Sequence, residues 1–409
     1  MEPTNSRIRV FDSDLHIVEP PDLFEKYLDK RYHGHIVRTS RTAYECAMPF
    51  FRIDNHVMPD FRDFPASLGP EQREDIITNS PRFERVINKS RVKYKRYYEM
   101  GWDGRTFLHA MDEEGVDLTV LYPTSALLAM GTDDIEPELA GAIARAYNDY
   151  LYDFCRADRK RLHGAAMVSV HDVRIGIEEA KRAVNELGFK SIFLRPNLVK
   201  GRVWYSDYYE PLWTVAEELG VPICFHEGIG ASLPHAGDVF GSNIFLRHVA
   251  CHPIEMMLTL MQFCGGGILE RHPGLRVAFL EGNVGWAPWL LDRLDDHYKL
   301  EFGVTAATLP HPPSFYFKRQ CYLSAECDEN LIGVATQELG SKNMVFSTDF
   351  PHPDAKFPRA VQTFVESDKI DAATKEQILW DNCVALYGMQ KEADGFPRAS
   401  RHQEAAATI

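Results

Sequence analysis

The sequence lacks the cysteine pairs and the long apolar runs that mark several classes of protein. Its eight cysteines are scattered, no two of them form a Cys-x-x-Cys pair, and several lie in apolar runs such as Val221–Phe225. This spacing disfavours a disulfide framework or a zinc ribbon and predicts reduced thiols in the core. No run reaches the roughly 18 to 20 apolar residues of a membrane-spanning helix, and Met1–Arg9 has no apolar signal core. We therefore expect a cytoplasmic protein.

Positive charge is also scarce in this chain. Lys and Arg number 45 against 59 Asp and Glu, so the net charge is -14. This balance disfavours nonspecific binding to nucleic acid or to an anionic membrane surface. Glycine is absent from Asp12–Glu19, so no glycine-rich nucleotide fingerprint follows the first predicted strand. The composition favours a soluble enzyme that acts on a small molecule, with no nucleic-acid or membrane partner.

Short apolar runs alternate with longer amphipathic stretches along most of the chain. The runs are Ile8–Phe11, Leu118–Tyr122, His163–Val170, Ser191–Leu194, Val221–Phe225, Leu275–Leu280, Gln320–Ser324 and Met344–Phe346. The stretches between them have the period of helices, for example Pro137–Cys155 and Pro253–Arg271. Eight strands that alternate with helices predict an α/β fold, a (β/α)8 TIM barrel. An open doubly wound sheet is the alternative.

The chain is predicted to form one domain, residues 1–409, with two additions to the barrel. About a hundred residues separate the first two strands, and a connection of that length is usually functional or separately folded. We interpret residues 20–110 as an insertion that either caps the barrel mouth or packs against the side of the barrel. Residues 390–409 are polar and alanine-rich, which predicts a C-terminal tail or an arm onto a neighbouring subunit. A homodimer or higher homo-oligomer is therefore expected.

Three predicted strands end in carboxylates and imidazoles. The segments are Asp12-Ser13-Asp14-Leu15-His16, Cys224-Phe225-His226-Glu227-Gly228 and Ser347-Thr348-Asp349-Phe350-Pro351-His352. In a barrel of parallel strands, these ends meet at one mouth. Residues two apart on a strand face the same way, so Asp14 and His16 can hold one ion together. We predict a metal site formed by Asp14, His16, His226 and Asp349.

The donor set and its charge indicate a divalent cation. Two imidazoles and two carboxylates suit zinc and tolerate manganese or iron. Carboxylates crowded into an apolar-walled mouth repel one another unless a cation lies between them. One divalent metal ion, zinc with manganese or iron as alternatives, is the predicted cofactor. Asp14 and His16 can instead form a buried hydrogen bond, and Asp349 can be a helix N-cap or a turn carboxylate.

Three residues are candidate catalytic groups. Asp349 can contact the metal and also carry a proton. Glu281 follows the sixth predicted strand and is the second acid/base candidate; alternatively it pairs with an arginine such as Arg293. Arg195, after the fourth strand, can bind a substrate carboxylate with its planar fork, or it can neutralise Glu227 or Glu281. The expected substrate is therefore a small carboxylate.

Four further residues border these groups in the sequence. His352 and Glu227 flank the predicted ligands and are expected to orient the metal site. His248 and His252 can line the mouth after strand five, but a helix-capping or core role is the more common one for such histidines. We therefore expect the second pair to be structural.

Together these motifs resemble the amidohydrolase superfamily. The segments that carry the resemblance are Asp12–His16, Phe225–Glu227, Phe279–Gly282 and Ser347–His352. The closest branch is the amidohydrolase-related one that includes aminocarboxymuconate semialdehyde decarboxylase and the resorcylate-type decarboxylases. The resemblance implies that Asp14, His16, His226 and Asp349 bind one divalent metal and that Asp349 carries the proton. It also implies non-oxidative decarboxylation of a small carboxylated aromatic or ring-cleavage-derived substrate.

One position departs from this branch. Its decarboxylases typically have a catalytic histidine at the end of strand six, where this sequence has Glu281. A carboxylate cannot supply the cationic donor that an imidazolium provides. The alternative reaction is therefore hydrolysis of a carbon–carbon or amide-like bond, with Glu281 as the base for water. A non-catalytic, metal-stabilised binding protein is the third interpretation.

Overall fold

The computed structural model describes residues 8–48, 50–58, 67–79, 81–228, 233–300 and 308–396. Its strands are β1 Phe11–His16, β2 Val37–Thr39, β3 Phe51–Ile53, β4 His56–Met58, β5 Leu118–Tyr122, β6 Leu162–Met167, β7 Ser191–Leu194, β8 Ile223–Phe225, β9 Val277–Phe279, β10 Cys321–Ala325 and β11 Met344–Phe346. One sheet contains β1 and β5 to β11 as eight parallel strands in chain order, and β2 to β4 form a small antiparallel sheet.

The large sheet curves until its first strand lies beside its last. The Ser13 hydroxyl donates a hydrogen bond to the Phe346 carbonyl at 2.7 Å, and the His16 N–H donates to the Phe350 carbonyl at 2.8 Å. The strands consist almost entirely of buried residues, as expected where helices cover the outer face and side chains fill the interior. The result is a nearly closed barrel, so the prediction of a (β/α)8 TIM barrel is confirmed and the open doubly wound alternative is wrong.

Helices connect the barrel strands and surround them. They are α1 Leu23–Tyr27, α2 Arg41–Cys46, α3 Pro70–Asn79, α4 Pro81–Met100, α5 Gly104–Glu114, α6 Pro137–Cys155, α7 Val173–Asn185, α8 Glu210–Leu219, α9 Ile244–Gly265, α10 Ile268–Arg271, α11 Ala287–Lys299, α12 Pro313–Gln320, α13 Ile332–Leu339, α14 Ala360–Glu366, α15 Ala372–Glu376, α16 Asn382–Tyr387 and α17 Gln390–Ala393. None of those in the described ranges is both long and apolar enough to cross a bilayer.

The first strand differs from its prediction. The sequence predicts Ile8–Phe11, whereas β1 comprises Phe11–His16 and so continues through the polar residues. Burial of Asp12 inside the barrel is tolerated because its carboxylate accepts hydrogen bonds from the Thr348 backbone N–H (3.3 Å) and hydroxyl. The pairing of β1 with β5 shifts register between Asp12 and Leu15, which is the mark of a β-bulge. Asp14 and His16 therefore lie on the strand itself.

Helix α9 also differs from its prediction. The sequence places a helix over Pro253–Arg271, because proline commonly occupies the first helical turn. The structure instead begins the helix at Ile244, after an Asn243 side chain that accepts a hydrogen bond from the Leu246 N–H, and includes Pro253 in its interior. The consequence is that His248 and His252 lie on a helix.

The segment between β1 and β5 contacts loops at the carboxyl ends of two barrel strands. The Tyr94 hydroxyl of α4 donates to the His352 carbonyl at 2.9 Å, and the Lys93 amine donates to the Ala355 carbonyl at 2.5 Å, both after β11. The Phe50 N–H donates to the Ser125 hydroxyl at 3.1 Å, after β5. These contacts lie on the side of the barrel where the predicted ligands are found.

The C-terminal segment begins packed against the barrel. Helix α17 is followed by Phe396, whose ring lies edge-on to Trp380 at 5.8 Å between centroids. The Phe396 carbonyl accepts a hydrogen bond from Arg9 at 3.0 Å. The rest of the predicted tail, 397–409, lies outside the described residues.

Candidate active site

The four predicted metal ligands meet at the carboxyl end of the barrel. Asp14 and His16 lie on β1, His226 follows β8 and Asp349 follows β11. Asp14 Oδ1 is 3.4 Å from His16 Nε2 and 3.5 Å from His226 Nε2. Asp349 Oδ1 is 3.5 Å from His16 Nε2. The barrel therefore brings side chains that are distant in sequence to one point.

Both imidazoles turn the same nitrogen toward that point. His16 Nδ1 is 2.8 Å from the Pro123 carbonyl, and His226 Nδ1 is 2.6 Å from the Glu227 carbonyl. A carbonyl oxygen only accepts hydrogen bonds, so each Nδ1 carries a proton and each Nε2 faces the other predicted ligands. Backbone carbonyls that fix the tautomer in this way are typical of metal-binding histidines.

Buried polar atoms at this point are left without aligned hydrogen bonds. Both carboxylate oxygens of Asp14, Nε2 of His16 and of His226, and Oδ1 of Asp349 make none with the described part of the chain. Buried polar atoms without partners are uncommon in folded proteins and cost about 1–3 kcal/mol each. A divalent cation that accepts electron pairs from all of them removes this cost. The residues present therefore fit the predicted metal.

Asp349 is held in place from several sides. Its backbone φ is +55°, in the left-handed region that few non-glycine residues adopt. His352 Nδ1 lies 2.7 Å from Asp349 Oδ1, and the His352 ring stacks on that of His16 at 4.2 Å. Burial, followed by the nearby charge of Glu281, raises the pKa of Asp349 well above its usual range. His352 thus contacts two predicted ligands, as expected for an orienting residue.

Glu281 lies beside the predicted ligands. Its φ is +49° and its backbone N–H donates to the Ser324 hydroxyl at 2.7 Å, which fixes the turn after β9. One carboxylate oxygen is 2.9 Å from His226 Nε2 and the other is 3.3 Å from His252 Nε2. Although burial alone raises the pKa of a carboxyl, these two imidazoles lower the pKa of Glu281 well below its usual range. The alternative partner, Arg293, is not among its described contacts.

His252 was missed by the sequence reasoning, which favoured a capping or core role. It is buried, contacts Glu281 and has Cys251 Sγ at 3.1 Å from its Nδ1. Burial favours the neutral imidazole, but Cys251 and Glu281 raise the pKa of His252 well above its usual value. The spacing of His248 and His252, four residues apart, was the available signal, and it points to one face only if the segment is helical.

Arg195 adopts the structural alternative. Its guanidinium Nη2 lies 2.7 Å from Glu227 Oε1 and also donates to the Gly228 carbonyl at 2.9 Å. Asn197 Oδ1 accepts from the same guanidinium at 3.0 Å. Arg195 therefore neutralises Glu227 next to His226, while its Nη1 makes no hydrogen bond with the described residues.

A cavity of about 340 Å³ opens beside Asp349, the one of the four predicted ligands that is among its lining residues. Glu281 and His252 line it as well, together with Val249, Pro253 and Cys327. A volume of this size falls in the range of small-molecule sites, which span about 300–1,000 Å³. The cavity therefore gives a small substrate access to Asp349 and Glu281.

Comparison with known proteins gives a family for this chain. A family model described as Amidohydrolase matches residues 33–389. Two curated relatives are 2-amino-3-carboxymuconate-6-semialdehyde decarboxylase of Dictyostelium discoideum and gamma-resorcylate decarboxylase of Rhodococcus jostii. The first is 24% identical over 292 residues, which is 70% of this chain and 77% of the relative. The second is 27% identical over 311 residues, which is 69% of this chain and 87% of the relative.

A solved structure supports the same fold. A dihydroxybenzoic acid decarboxylase from a Polaromonas species, with bound manganese and the inhibitor 2-nitroresorcinol, is similar with a TM-score of 0.61 at 19% identity. The similarity covers 93% of this chain and 97% of that one. Because the family model matches most of the chain, this protein is an enzyme of the amidohydrolase family.

Proposed function

We propose that this enzyme removes carbon dioxide, without oxidation, from a small carboxylated aromatic or ring-cleavage-derived substrate. The observation that carries the proposal is the convergence on one point of buried atoms from Asp14, His16, His226 and Asp349 that lack aligned hydrogen bonds to described residues, with Asp349 also lining an open cavity. Both curated relatives are named as decarboxylases of carboxylated substrates of this kind. The chain is similar to them over about two thirds of its length or more.

Asp14, His16, His226 and Asp349 would hold one divalent metal in this proposal. Such an ion supplies Lewis-acid chemistry, polarising an oxygen of the bound carboxylate. The two imidazoles, fixed through their Nδ1 protons, and the two carboxylates suit zinc, with manganese or iron as alternatives. Manganese is bound in the similar Polaromonas structure.

Asp349 is the proposed proton carrier. In decarboxylation a proton replaces carbon dioxide on the substrate carbon, so an acid must reach that carbon from the cavity floor. Asp349 lines the cavity, and its contact with His352 at 2.7 Å fixes the direction of its carboxyl group. It is thus a group that both binds at the metal centre and faces the space open to substrate.

Arg195 is proposed to neutralise the negative charge of Glu227 next to His226. Its Nη1, which has no hydrogen bond within the described chain, is proposed to donate to a substrate carboxylate. The pair with Glu227 at 2.7 Å occupies one edge of the guanidinium and leaves Nη1 buried and without a hydrogen bond in the described residues. A carboxylate oxygen that accepts from this nitrogen would satisfy it. Because Nε and Nη2 are occupied, a carboxylate can bind only through the two N–H groups of Nη1, and the clamp by two nitrogens that the sequence suggests is not available.

Hydrolysis is the second candidate, and Glu281 favours it. Its carboxylate lies 2.9 Å from His226 Nε2, where a base for water is needed, and the pKa of Glu281 is lowered by its imidazole neighbours, so it is ionised. An ionised carboxylate is a proton acceptor. The substrate bond cleaved in this case is a carbon–carbon or amide-like bond.

Product analysis separates the two reactions. Purified protein is loaded with Mn²⁺ or Zn²⁺ and assayed against hydroxybenzoates and ring-cleavage acids, with the Asp349→Asn variant as the matched control. We expect carbon dioxide to appear one for one with substrate lost, and no ¹⁸O from labelled water in the organic product. Incorporation of ¹⁸O without release of carbon dioxide would instead establish hydrolysis and overturn the leading proposal.

We further propose that the enzyme is a zinc-binding homodimer in the cytoplasm. The two imidazoles and two carboxylates support zinc. The eight cysteines are all buried and free, which suits a reducing compartment. Light scattering of the purified protein tests the dimer.

The insertion, residues 20–110, is proposed to cap the mouth. Its hydrogen bonds from Tyr94 and Lys93 to the loop after β11 support this position over one at the side of the barrel. A cap on that loop excludes water and positions substrate near Asp349.

A further inference from the structure

A second group of ligating side chains lies beside the first centre. His248 and His252 are four residues apart on α9, so both rings lie on one face, with centroids 5.0 Å apart. Glu281 reaches the same place from the turn after β9. One ligand atom from each of these three residues lies within 4.8 Å of the others. Two histidines one helical turn apart are a common chelating arrangement.

Glu281 connects this group to the predicted metal centre. One of its oxygens is 3.3 Å from His252 Nε2, and the other is 2.9 Å from His226 Nε2. A carboxylate that presents one oxygen to each of two sets of imidazoles has the arrangement of a bridging ligand in a two-metal site. The backbone bond to Ser324 fixes the turn that carries Glu281, and the carboxylate contacts both imidazoles in this one conformation.

The charge around this group favours a second cation. Among the residues that line the cavity, the carboxylates are Glu281, Glu326, Asp328, Asp349 and Asp354, and the basic groups are Lys356 and the imidazoles of His248 and His252. The Lys356 amine already lies 3.1 Å from Asp328. Carboxylates crowded in a partly buried cavity repel one another unless positive charge is added.

The pKa of Glu326 reflects the crowding of carboxylates in the cavity. Burial, followed by the charges of Glu281 and other neighbouring carboxylates, raises the pKa of Glu326 to about 7. Asp354 is also close, with its Oδ2 at 3.8 Å from His248 Nε2, and is within reach as a further oxygen donor. The half-exposed His248 side chain opens the group to ions from solvent.

We propose that His248, His252 and Glu281 bind a second divalent cation, which Glu281 bridges to the first. The imidazole and carboxylate donors suit zinc, manganese or iron. This inference concerns metal content and is compatible with decarboxylation through Asp349, whereas a Glu281 with both oxygens bound cannot act as the base in the hydrolytic alternative. It goes beyond the proposed function, which uses one metal.

Metal counting on the full chain tests the proposal. The protein is stripped with a chelator, dialysed against increasing Mn²⁺ and analysed by elemental mass spectrometry and by electron paramagnetic resonance. We expect two Mn²⁺ per chain at saturation and a spectrum of two coupled ions. His248→Ala should retain one Mn²⁺ with the spectrum of an isolated ion. Because His248 is half-exposed, we expect the variant to fold, and circular dichroism checks this.

Two further variants sharpen the result. Val249→Ala alters the exposed neighbour of His248 on the same helix and should keep both ions. Glu281→Gln should abolish the coupling between the ions even where metal is still bound. Saturation of the wild type at one Mn²⁺, or a second Mn²⁺ that survives His248→Ala, would overturn the proposal. Neither result would bear on whether carbon dioxide is released, so this proposal and the decarboxylase proposal fail separately.

Discussion

The backbone N–H of Asp349 donates a hydrogen bond to the backbone carbonyl of Asp14 at 3.2 Å. This bond links the segment after the last barrel strand to the first strand, and it sets two carboxylates side by side at the mouth. Asp349 has a φ of +55°, a conformation that costs about 1–3 kcal/mol and persists only where its surroundings enforce it. The predicted metal centre is therefore a product of barrel closure, because neither segment forms it alone.

Loss of one imidazole should remove the metal held at this point. In His226→Ala the predicted centre loses one of its four ligands. We expect the metal ion bound there to be lost, together with turnover. Elemental analysis of the purified variant measures this. His56→Ala, which changes a partly exposed histidine of the small sheet, is the matched control and should keep full occupancy. Full occupancy in His226→Ala would contradict the ligand assignment.

Substitutions at Asp349 and Glu281 distinguish the two reactions. For decarboxylation through Asp349, we expect Asp349→Asn to be nearly inactive and Glu281→Gln to be milder, because only the first removes the proton donor. For hydrolysis, Glu281→Gln should lower turnover by roughly a hundredfold or more with little change in substrate affinity, since the base is lost. Values of kcat and KM for both variants, at matched metal content, decide between these patterns.

Local patterns in the sequence were sufficient to predict the barrel and the convergence of four candidate ligands at its mouth. Parallel barrel strands always deliver their carboxyl ends to one mouth, so Asp14, His16, His226 and Asp349 were predictable without knowing any contact. The pairing of Arg195 with Glu227 was not predictable, because Glu227 and Glu281 both follow barrel strands. Only the 2.7 Å contact in the structure shows which carboxylate Arg195 meets.

The contact of His252 with Glu281 could not be predicted from the sequence for a different reason. Its approach to Glu281 depends on where α9 begins, and Pro253 suggested a later start than the observed Ile244. A helix that continues through a proline is decided by packing of the whole segment, which local preferences do not contain.

Tyr94 tests whether the insertion acts on the active site. Its buried hydroxyl donates to the carbonyl of His352, the residue that contacts Asp349. Tyr94→Phe removes this one hydrogen bond and should cost about 1 kcal/mol of stability. We also expect turnover to fall while metal content stays unchanged, because the loop after β11 is less firmly held. Tyr27→Phe, which removes an exposed bond to Asp153, is the control; equal turnover in both variants would limit the contact to a structural role.

Glu114 should make stability depend on pH. Burial raises its pKa to about 7, with one carboxylate oxygen bonded to the Val361 N–H at 2.8 Å. The folded protein thus keeps this proton at pH values where the unfolded chain, with an ordinary pKa, has lost it. The contribution is fully present below the unfolded pKa and is lost as pH rises to about 7, by an amount on the order of 3 kcal/mol.

Glu114→Gln should remove this dependence, because the amide retains the oxygen that accepts from Val361 and cannot ionise. Urea unfolding of both proteins at several pH values measures the difference in unfolding free energy between them, in which other titrating groups cancel. We expect the variant to gain stability relative to the wild type as pH rises from about 4.5 to 7 and to hold that gain above it. A difference that is constant with pH would contradict the raised pKa.

Glu19 should control metal affinity without contacting the metal. Its buried carboxylate accepts hydrogen bonds from the backbone N–H groups of Thr124 (3.0 Å), Ser125 (2.9 Å) and Ala126 (2.9 Å). These residues follow Pro123, whose carbonyl fixes the His16 imidazole through Nδ1 at 2.8 Å. The carboxylate therefore holds the loop that orients a predicted ligand.

Glu19→Gln replaces one accepting oxygen with an amide that cannot accept from a backbone N–H. We expect a loss of about 1–3 kcal/mol in stability from the donor left unsatisfied, and a roughly 10- to 100-fold weaker metal affinity, as for other residues that orient metal ligands. Competition with a fluorescent chelator measures the affinity, and Glu25→Gln, on the exposed face of α1, is the control. Because the loop is displaced rather than the ligand removed, excess metal should restore turnover in Glu19→Gln, whereas it should not restore turnover in His226→Ala. Unchanged affinity in a destabilised Glu19→Gln would show that the loop supports the barrel and does not orient His16.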